Sequence, residues 1–103
     1  MTDALPPESK ATMQLHAMID GHVQGVGYRH FVAQFADKLD LTGWVRNTYT
    51  GNVEVLAEGP RVKLEALLIA LKHGPRGGYV IDVTCEWAAA QGEFHRFSVN
   101  YTA

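Results

Sequence analysis

Three glycines surround a short polar turn in the run Gly21-His22-Val23-Gln24-Gly25-Val26-Gly27-Tyr28-Arg29, and a fixed positive charge closes it. Residues without a Cβ reach positive φ at little cost, so successive backbone N–H groups in such a run can converge on one concavity. Arg29 adds a planar fork of donors at the rim. The combination is a cradle for an anion, with a phosphate or a carboxylate as the expected guest. Glycine turns can serve geometry alone, but here Val23, Gln24 and Val26 make the segment too apolar for an ordinary solvated loop. It also joins a strand-like run to a helix-like one, the junction at which phosphate sites form. It is not a Walker loop, since no Gly-Lys-Ser or Gly-Lys-Thr follows, and its spacing departs from Gly-x-Gly-x-x-Gly.

The elements that must hold this cradle are legible on either side. Met13 to Asp20 alternates, with Met13, Leu15, Ala17 and Ile19 on one face and Gln14, His16, Met18 and Asp20 on the other, which predicts a half-buried strand feeding the loop. After the loop, Phe31, Phe35 and Leu39 recur at intervals of four beside Val32 and Ala36, an amphipathic helix with Arg29 at or near its start. The unpaired N–H groups and positive dipole end of its first turn would add to the anion site. The helix should stop by Leu41-Thr42-Gly43. Residues 43–59 then read as a hairpin, with a strand over Gly43 to Tyr49, a turn at Thr50-Gly51-Asn52 and a returning strand closed by Gly59-Pro60.

From Arg61, the positions Leu64, Leu67, Leu68 and Leu71 fit a second amphipathic helix, stopped by Lys72-His73-Gly74-Pro75. Tyr79 to Trp87 and Phe94 to Tyr101 are two further β-rich runs, joined by a turn around Gln91-Gly92-Glu93. The first six elements spell β-α-β-β-α-β. That order predicts an α+β, ferredoxin-like split β-α-β sandwich, an antiparallel sheet with two helices on one face. Residues 1–12, polar, small and proline-containing, are expected to be a flexible extension, and residues 13–103 the folded domain.

Composition limits what this domain can be. A chain of 103 residues with 47% hydrophobic content supports one core and needs no disulfide or structural metal to hold it. The single Cys85, in the alternating run Val83 to Trp87, is expected to be a small core residue. The first residues carry Asp3, Glu8 and Pro6-Pro7 and no apolar stretch, so neither a signal peptide nor a membrane span is expected, and a reducing cytoplasm is the simplest home. Net charge is 9 minus 11, or −2, with no block of Lys or Arg, which argues against nucleic acid as a partner. The five histidines are scattered without metal-site spacing, so neither a metal nor a cofactor is expected.

A second polar signal bears on the first. Asn47 stands near the end of the leading hairpin strand, after Gly43-Trp44-Val45-Arg46 and before Gly51. An Asn there can simply form the turn, yet strand pairing in the inferred fold could also bring it beside the glycine loop.

Together, Gly21 to Arg29 and the run Gly43-Trp44-Val45-Arg46-Asn47-Thr48-Tyr49-Thr50-Gly51-Asn52-Val53 with the closing Gly59 resemble both signature motifs of the acylphosphatases, in the family's order and separation. The resemblance spans about residues 13 to 102. It implies an enzyme that hydrolyses carboxyl-phosphate anhydrides to a carboxylate and inorganic phosphate without a metal. It assigns phosphate binding to Val23, Gln24, Gly25, Val26, Gly27, Tyr28 and Arg29, and catalysis to Arg29 together with Asn47, which orients the attacking water. The partners it implies are a small-molecule acyl phosphate and its phosphate product, with no nucleic acid and no membrane. One departure concerns the turn, where many bacterial relatives carry Asp immediately before the hairpin glycine and this chain has Thr50. A domain this small with no apolar surface stripe left over is expected to be a monomer. The alternatives are a non-catalytic module of the same fold that senses a phosphorylated ligand and, behind it, an RNA-binding sheet, which lacks the basic and aromatic pattern it would need.

Overall fold

A computed structural model of the protein describes residues 12–103. The expected extension over residues 1–12 lies outside the described residues except for Thr12, which already belongs to the first strand, opposite Pro60. The elements run β1 (Thr12–His22), α1 (Tyr28–Lys38), β2 (Thr42–Asn47), β3 (Val53–Pro60), α2 (Arg61–His73), β4 (Tyr79–Ala89) and β5 (Phe97–Val99). The β-α-β-β-α-β order is therefore as the periodicity indicates, followed by a short fifth strand.

The sheet order is β4-β1-β3-β2-β5. Its first four strands pair antiparallel, but β5 pairs parallel with β2, so the sheet is mixed rather than wholly antiparallel. The turn around Gly92 does not fold β5 back onto β4. It carries the chain across to the opposite edge, where Gly43 aligns with Phe97 and Val45 with Val99. Glu58, only 4% exposed, anchors this crossing. Its carboxylate accepts from the Gln91 and Gly92 backbone N–H groups at 2.9 and 3.1 Å and from the Gln14 amide at 2.8 Å.

Strand parity divides the sheet into two faces. Leu15, Ala17 and Ile19 of β1, with Val45 of β2 and Val55 of β3, are buried on the face that packs against the helices. From the helices, Val32 and Ala36 of α1 and Leu64, Leu67 and Leu71 of α2 complete one core. Phe31 and Phe35 are half-buried at its margin, in a tilted contact with ring centroids 5.0 Å apart, while Tyr28 joins the fully buried line. The helix α1 stops because Asp40 takes a left-handed φ of 56°, which lets the Asp40 and Leu41 N–H groups return to the Asp37 and Ala36 carbonyls at 3.1 and 2.9 Å.

The other face is open and carries a polar network. Glu54 accepts from Arg46 at 2.9 Å and lies 2.6 Å from the His16 ring nitrogen, while Arg46 also stacks over Trp44. Arg46 is thus held in place rather than left as a solvated surface charge. Cys85 departs from its expected place in the core. Its register partner Ala17 is buried, but β4 is the edge strand and only Val80, Val83 and Trp87 along it are partly covered, which leaves Cys85 exposed.

Burial alone would raise the Glu58 pKa, but hydrogen bonds from Gln91, Gln14 and Gly92 outweigh it and hold the carboxyl below its ordinary value. Burial is likewise outweighed at Glu54, where hydrogen bonds and charge from His16 and Arg46 lower the pKa. A carboxyl depressed in the folded state contributes stability above its unfolded pKa and loses it as pH falls through the folded value. Glu58→Gln should therefore cost about 1–3 kcal/mol near neutral pH in urea unfolding, and its deficit should shrink as pH drops below the ordinary glutamate range. An unchanged deficit across that range would show that the charge of Glu58 does not matter to the anchor.

Candidate active site

Strand β1 bulges between Asp20 and Gly21, just before its end at His22, and a side chain at position 21 would collide with the Tyr79 carbonyl. The chain then enters the loop. Val23 is buried in the core at one end, and Tyr28 is buried at the other, its hydroxyl donating to the Leu71 carbonyl at 2.7 Å. Between these stakes Gly25 and Gly27 take left-handed φ values of 76° and 77°, with nothing within 4 Å of where a Cβ would sit. The glycines are needed for the direction of the backbone and not for space.

Gly27 is the N-cap of α1, and no side chain caps the helix or places an acid in its first turn. The first intrahelical bond is from the Phe31 N–H to the Gly27 carbonyl at 3.0 Å, which leaves the preceding amides at the helix start without intrahelical acceptors. Those donors and the positive end of the helix dipole lie beside Arg29, in the first turn. Arg29 is half-buried, and its Nη1 donates to the Asn100 carbonyl at 3.0 Å, so part of the fork is anchored and the rest remains available.

Asn47 closes β2 opposite Val53, on the helix-side face by register. Its Oδ1 is buried and accepts no hydrogen bond from the protein. The loop and this strand end are joined by Gln24, whose amide donates to the Thr48 and Asn52 carbonyls, both at 2.8 Å. The hairpin turn is internally bonded as well. The Thr48 hydroxyl accepts the Asn52 N–H at 3.1 Å and meets the Thr50 hydroxyl at 2.8 Å, so Thr50 adds a polar contact to the turn.

The residues singled out in the sequence therefore occupy one neighbourhood, but with different parts exposed to it. The side chains of Val23 and Tyr28 belong to the core, and burial pushes the Tyr28 phenol up, so it acts as a neutral donor to Leu71. The Gln24 amide is committed to the hairpin. Only backbone N–H groups of these three residues can serve an anion. Sequence reasoning did not find the acceptors Thr48, Asn52 and Asn100, because they act through main-chain carbonyls that side-chain type does not reveal. The one usable signal was Gln24 itself, a long amide in an apolar loop that must find partners.

A hollow of about 640 Å³ lies elsewhere, on the open sheet face, bordered by Gln14, His16, Trp44, Leu56 and Glu86. It carries the Glu86 carboxylate, and its Gln14 amide is already committed to Glu58, so it matches an anion less well than the glycine loop does. Among the described residues, no group of three or more His, Cys, Asp or Glu is placed to hold a metal ion, and no helix is long and apolar enough to cross a membrane.

Comparison with known proteins bears on the family and the fold. The acylphosphatase family model matches residues 15–99. An acylphosphatase of Syntrophotalea carbinolica is 45% identical over 89 residues, covering 86% of this chain and 97% of that protein. The crystal structure of the Bacillus subtilis acylphosphatase superposes with a TM-score of 0.84 at 43% identity, over 86% of this chain and 99% of that one. An acylphosphatase structure from Coxiella burnetii gives 0.83 at 33% identity, over 93% and 100%. The fold and these relatives define a small ferredoxin-like phosphohydrolase. The chain belongs to the acylphosphatase family.

Because Gln24 ties the loop to the hairpin, Gln24→Ala should loosen Asn47 relative to the cradle. Turnover of benzoyl phosphate should fall by about tenfold or more, with circular dichroism unchanged. Parent-like turnover in a folded Gln24→Ala protein would show that the bridge does not position the site.

Proposed function

We propose that the amides of residues 23–29 and the Arg29 guanidinium hold the phosphoryl group of an acyl phosphate while Asn47 orients the water that attacks it. The reaction is hydrolysis of the carboxyl-phosphate anhydride. Water adds to phosphorus, the bond to the carboxylate oxygen breaks, and carboxylate, inorganic phosphate and a proton are released.

One observation carries this reading: uncapped amides of a helix start lie beside an arginine, across a Gln24 bridge from the strand end that bears the unpartnered Asn47 Oδ1. An acyl phosphate has a good leaving group, and its phosphoryl transfer needs positioning and charge stabilisation more than a strong base. Arg29 supplies charge-assisted hydrogen bonds of roughly 1.5–3 kcal/mol each. The preorganised amides meet the negative charge on the equatorial oxygens at no reorganisation cost. A buried acceptor left unpaired costs about 1–3 kcal/mol, and a water donating to the Asn47 Oδ1 recovers that energy while being fixed in direction.

No metal is required in this scheme, since helix amides and Arg29 meet the charge that a cation would otherwise meet. The exposed, unpaired Cys85 suits a reducing compartment, which supports the cytoplasm as the site of action. We take the working unit to be a single chain, because the residues assigned to the reaction come from one loop and one hairpin of the same domain.

Benzoyl phosphate hydrolysis in EDTA tests the scheme. Arg29→Ala should lower kcat/KM by about 100-fold or more through both binding and turnover. Arg29→Lys should fail nearly as badly, because an ammonium cannot reproduce the fork. Asn47→Ala should lower kcat by about 100-fold while leaving KM within a few-fold. Unchanged rate constants in either alanine variant, with the fold intact, would remove that residue from the mechanism. Phosphate binding without turnover by the parent would instead favour a sensing module.

A further inference from the structure

The segment that follows β5 reaches both residues assigned to the chemistry. Its pairing with β2 starts regularly: the Gly43 N–H donates to the Arg96 carbonyl at 3.0 Å, and the Asn100 N–H to the Val45 carbonyl at 2.8 Å. In a parallel ladder such rungs advance by two residues on each strand. The next rung runs from the Ala103 N–H to the Asn47 carbonyl at 3.1 Å, followed by the Tyr49 N–H to the Ala103 carbonyl at 3.3 Å. The step from Asn100 to Ala103 faces the shorter step from Val45 to Asn47, so the tail carries one extra residue there, a bulge. At that bulge the Asn100 carbonyl accepts from Arg29 Nη1 at 3.0 Å. The Asn100 side chain is itself held, its Oδ1 accepting from the Ser98 hydroxyl at 3.1 Å, and Phe97 roots the strand in the core.

We infer that Asn100–Ala103 is a positioning element of the active site, aiming Arg29 through the Asn100 carbonyl and bracing the Asn47 end of β2 through Ala103. The inference rests on the roles proposed above for Arg29 and Asn47. A guanidinium on a long side chain has many rotamers in water, and a carbonyl that fixes one nitrogen leaves the others directed before substrate arrives. Strand β5 covers β2 only as far as Val45, and a strand end left uncovered frays, so Asn47 needs the tail beside it. The bulge serves both needs at once, since an uninterrupted parallel ladder would aim the Asn100 carbonyl at β2 instead of at α1.

Two variants separate the arms. Ala103→Pro removes the N–H that braces Asn47 and leaves Asn100 in place. A chain ending at Val99 removes the Asn100 carbonyl as well. Leu68→Ala, in the partly buried margin of α2, serves as a control for stability loss alone. Each is assayed with benzoyl phosphate for kcat and KM, and by calorimetric titration with inorganic phosphate for Kd, with thermal midpoints recorded. Ala103→Pro should lower kcat about tenfold with phosphate Kd within twofold of the parent, and the chain ending at Val99 should also weaken phosphate binding about tenfold. The control, at a similar loss of thermal midpoint, should change neither. If both tail variants track the control in kcat and Kd, the segment is structural only and the inference is wrong. A parent that binds phosphate without turnover defeats the catalytic reading, yet weakened phosphate binding in the chain ending at Val99 would still uphold the Arg29 arm, and unchanged binding would end it.

Discussion

Backbone N–H groups normally point away from one another along a strand or lie along a helix axis, so gathering several of them around one point demands left-handed backbone. Gly25 and Gly27 supply it, and the rest of the site depends on that bend being stiff. Stiffness comes from outside the glycines. Val23 is driven into the core on one side and Tyr28 on the other, where its hydroxyl finds Leu71 on the second helix. The loop is thus short rope between two fixed posts, and its donors are oriented before a ligand arrives. The same bend makes Gly27 the cap of α1, so the conformation that curves the loop also leaves the first helix amides beside it without a side-chain cap.

The second requirement is that the strand end bearing Asn47 keep a constant relation to the loop, although the two are separated by a helix in sequence. Three main-chain carbonyls carry that relation. Thr48 and Asn52 receive Gln24, and Asn100 receives Arg29. Carbonyl acceptors are indifferent to side-chain identity, so these ties survive substitution at their own positions but fail if the donor residue is changed. The open sheet face adds a further constraint on the same hairpin, because Arg46, adjacent to Asn47, is fixed by Glu54 and stacked on Trp44. The hollow on that face has no comparable run of free backbone donors.

Most of the architecture was legible from periodicity. The alternation of Met13 to Asp20 and the Leu64, Leu67 and Leu71 stripe correspond to β1 and α2, and the Gly59-Pro60 stop marks the junction of β3 with α2. What was not legible depends on tertiary placement. The direction of β5 is set by Glu58 capturing the Gln91 and Gly92 amides, a contact between residues 33 and 34 positions apart that no local pattern encodes. Cys85 alternates like a core residue but lies on an edge strand that is covered only in part. At the site, the glycine run and Asn47 were visible by type and spacing, whereas the division of labour was not. Whether Gln24 turns its amide toward a phosphate or toward the hairpin is decided by which acceptors lie within 2.8 Å of it, and those come from another part of the chain.

Titrating isotopically labelled protein with inorganic phosphate, followed by amide chemical shifts, reads whether the loop amides and Arg29 gather an anion. The largest shifts should fall on the amides from Gln24 to His30 and on the Arg29 guanidinium, with little change at Gln14, His16 and Trp44 on the open face. Shifts centred on the open face, or spread evenly with the loop unmoved at saturating phosphate, would contradict it.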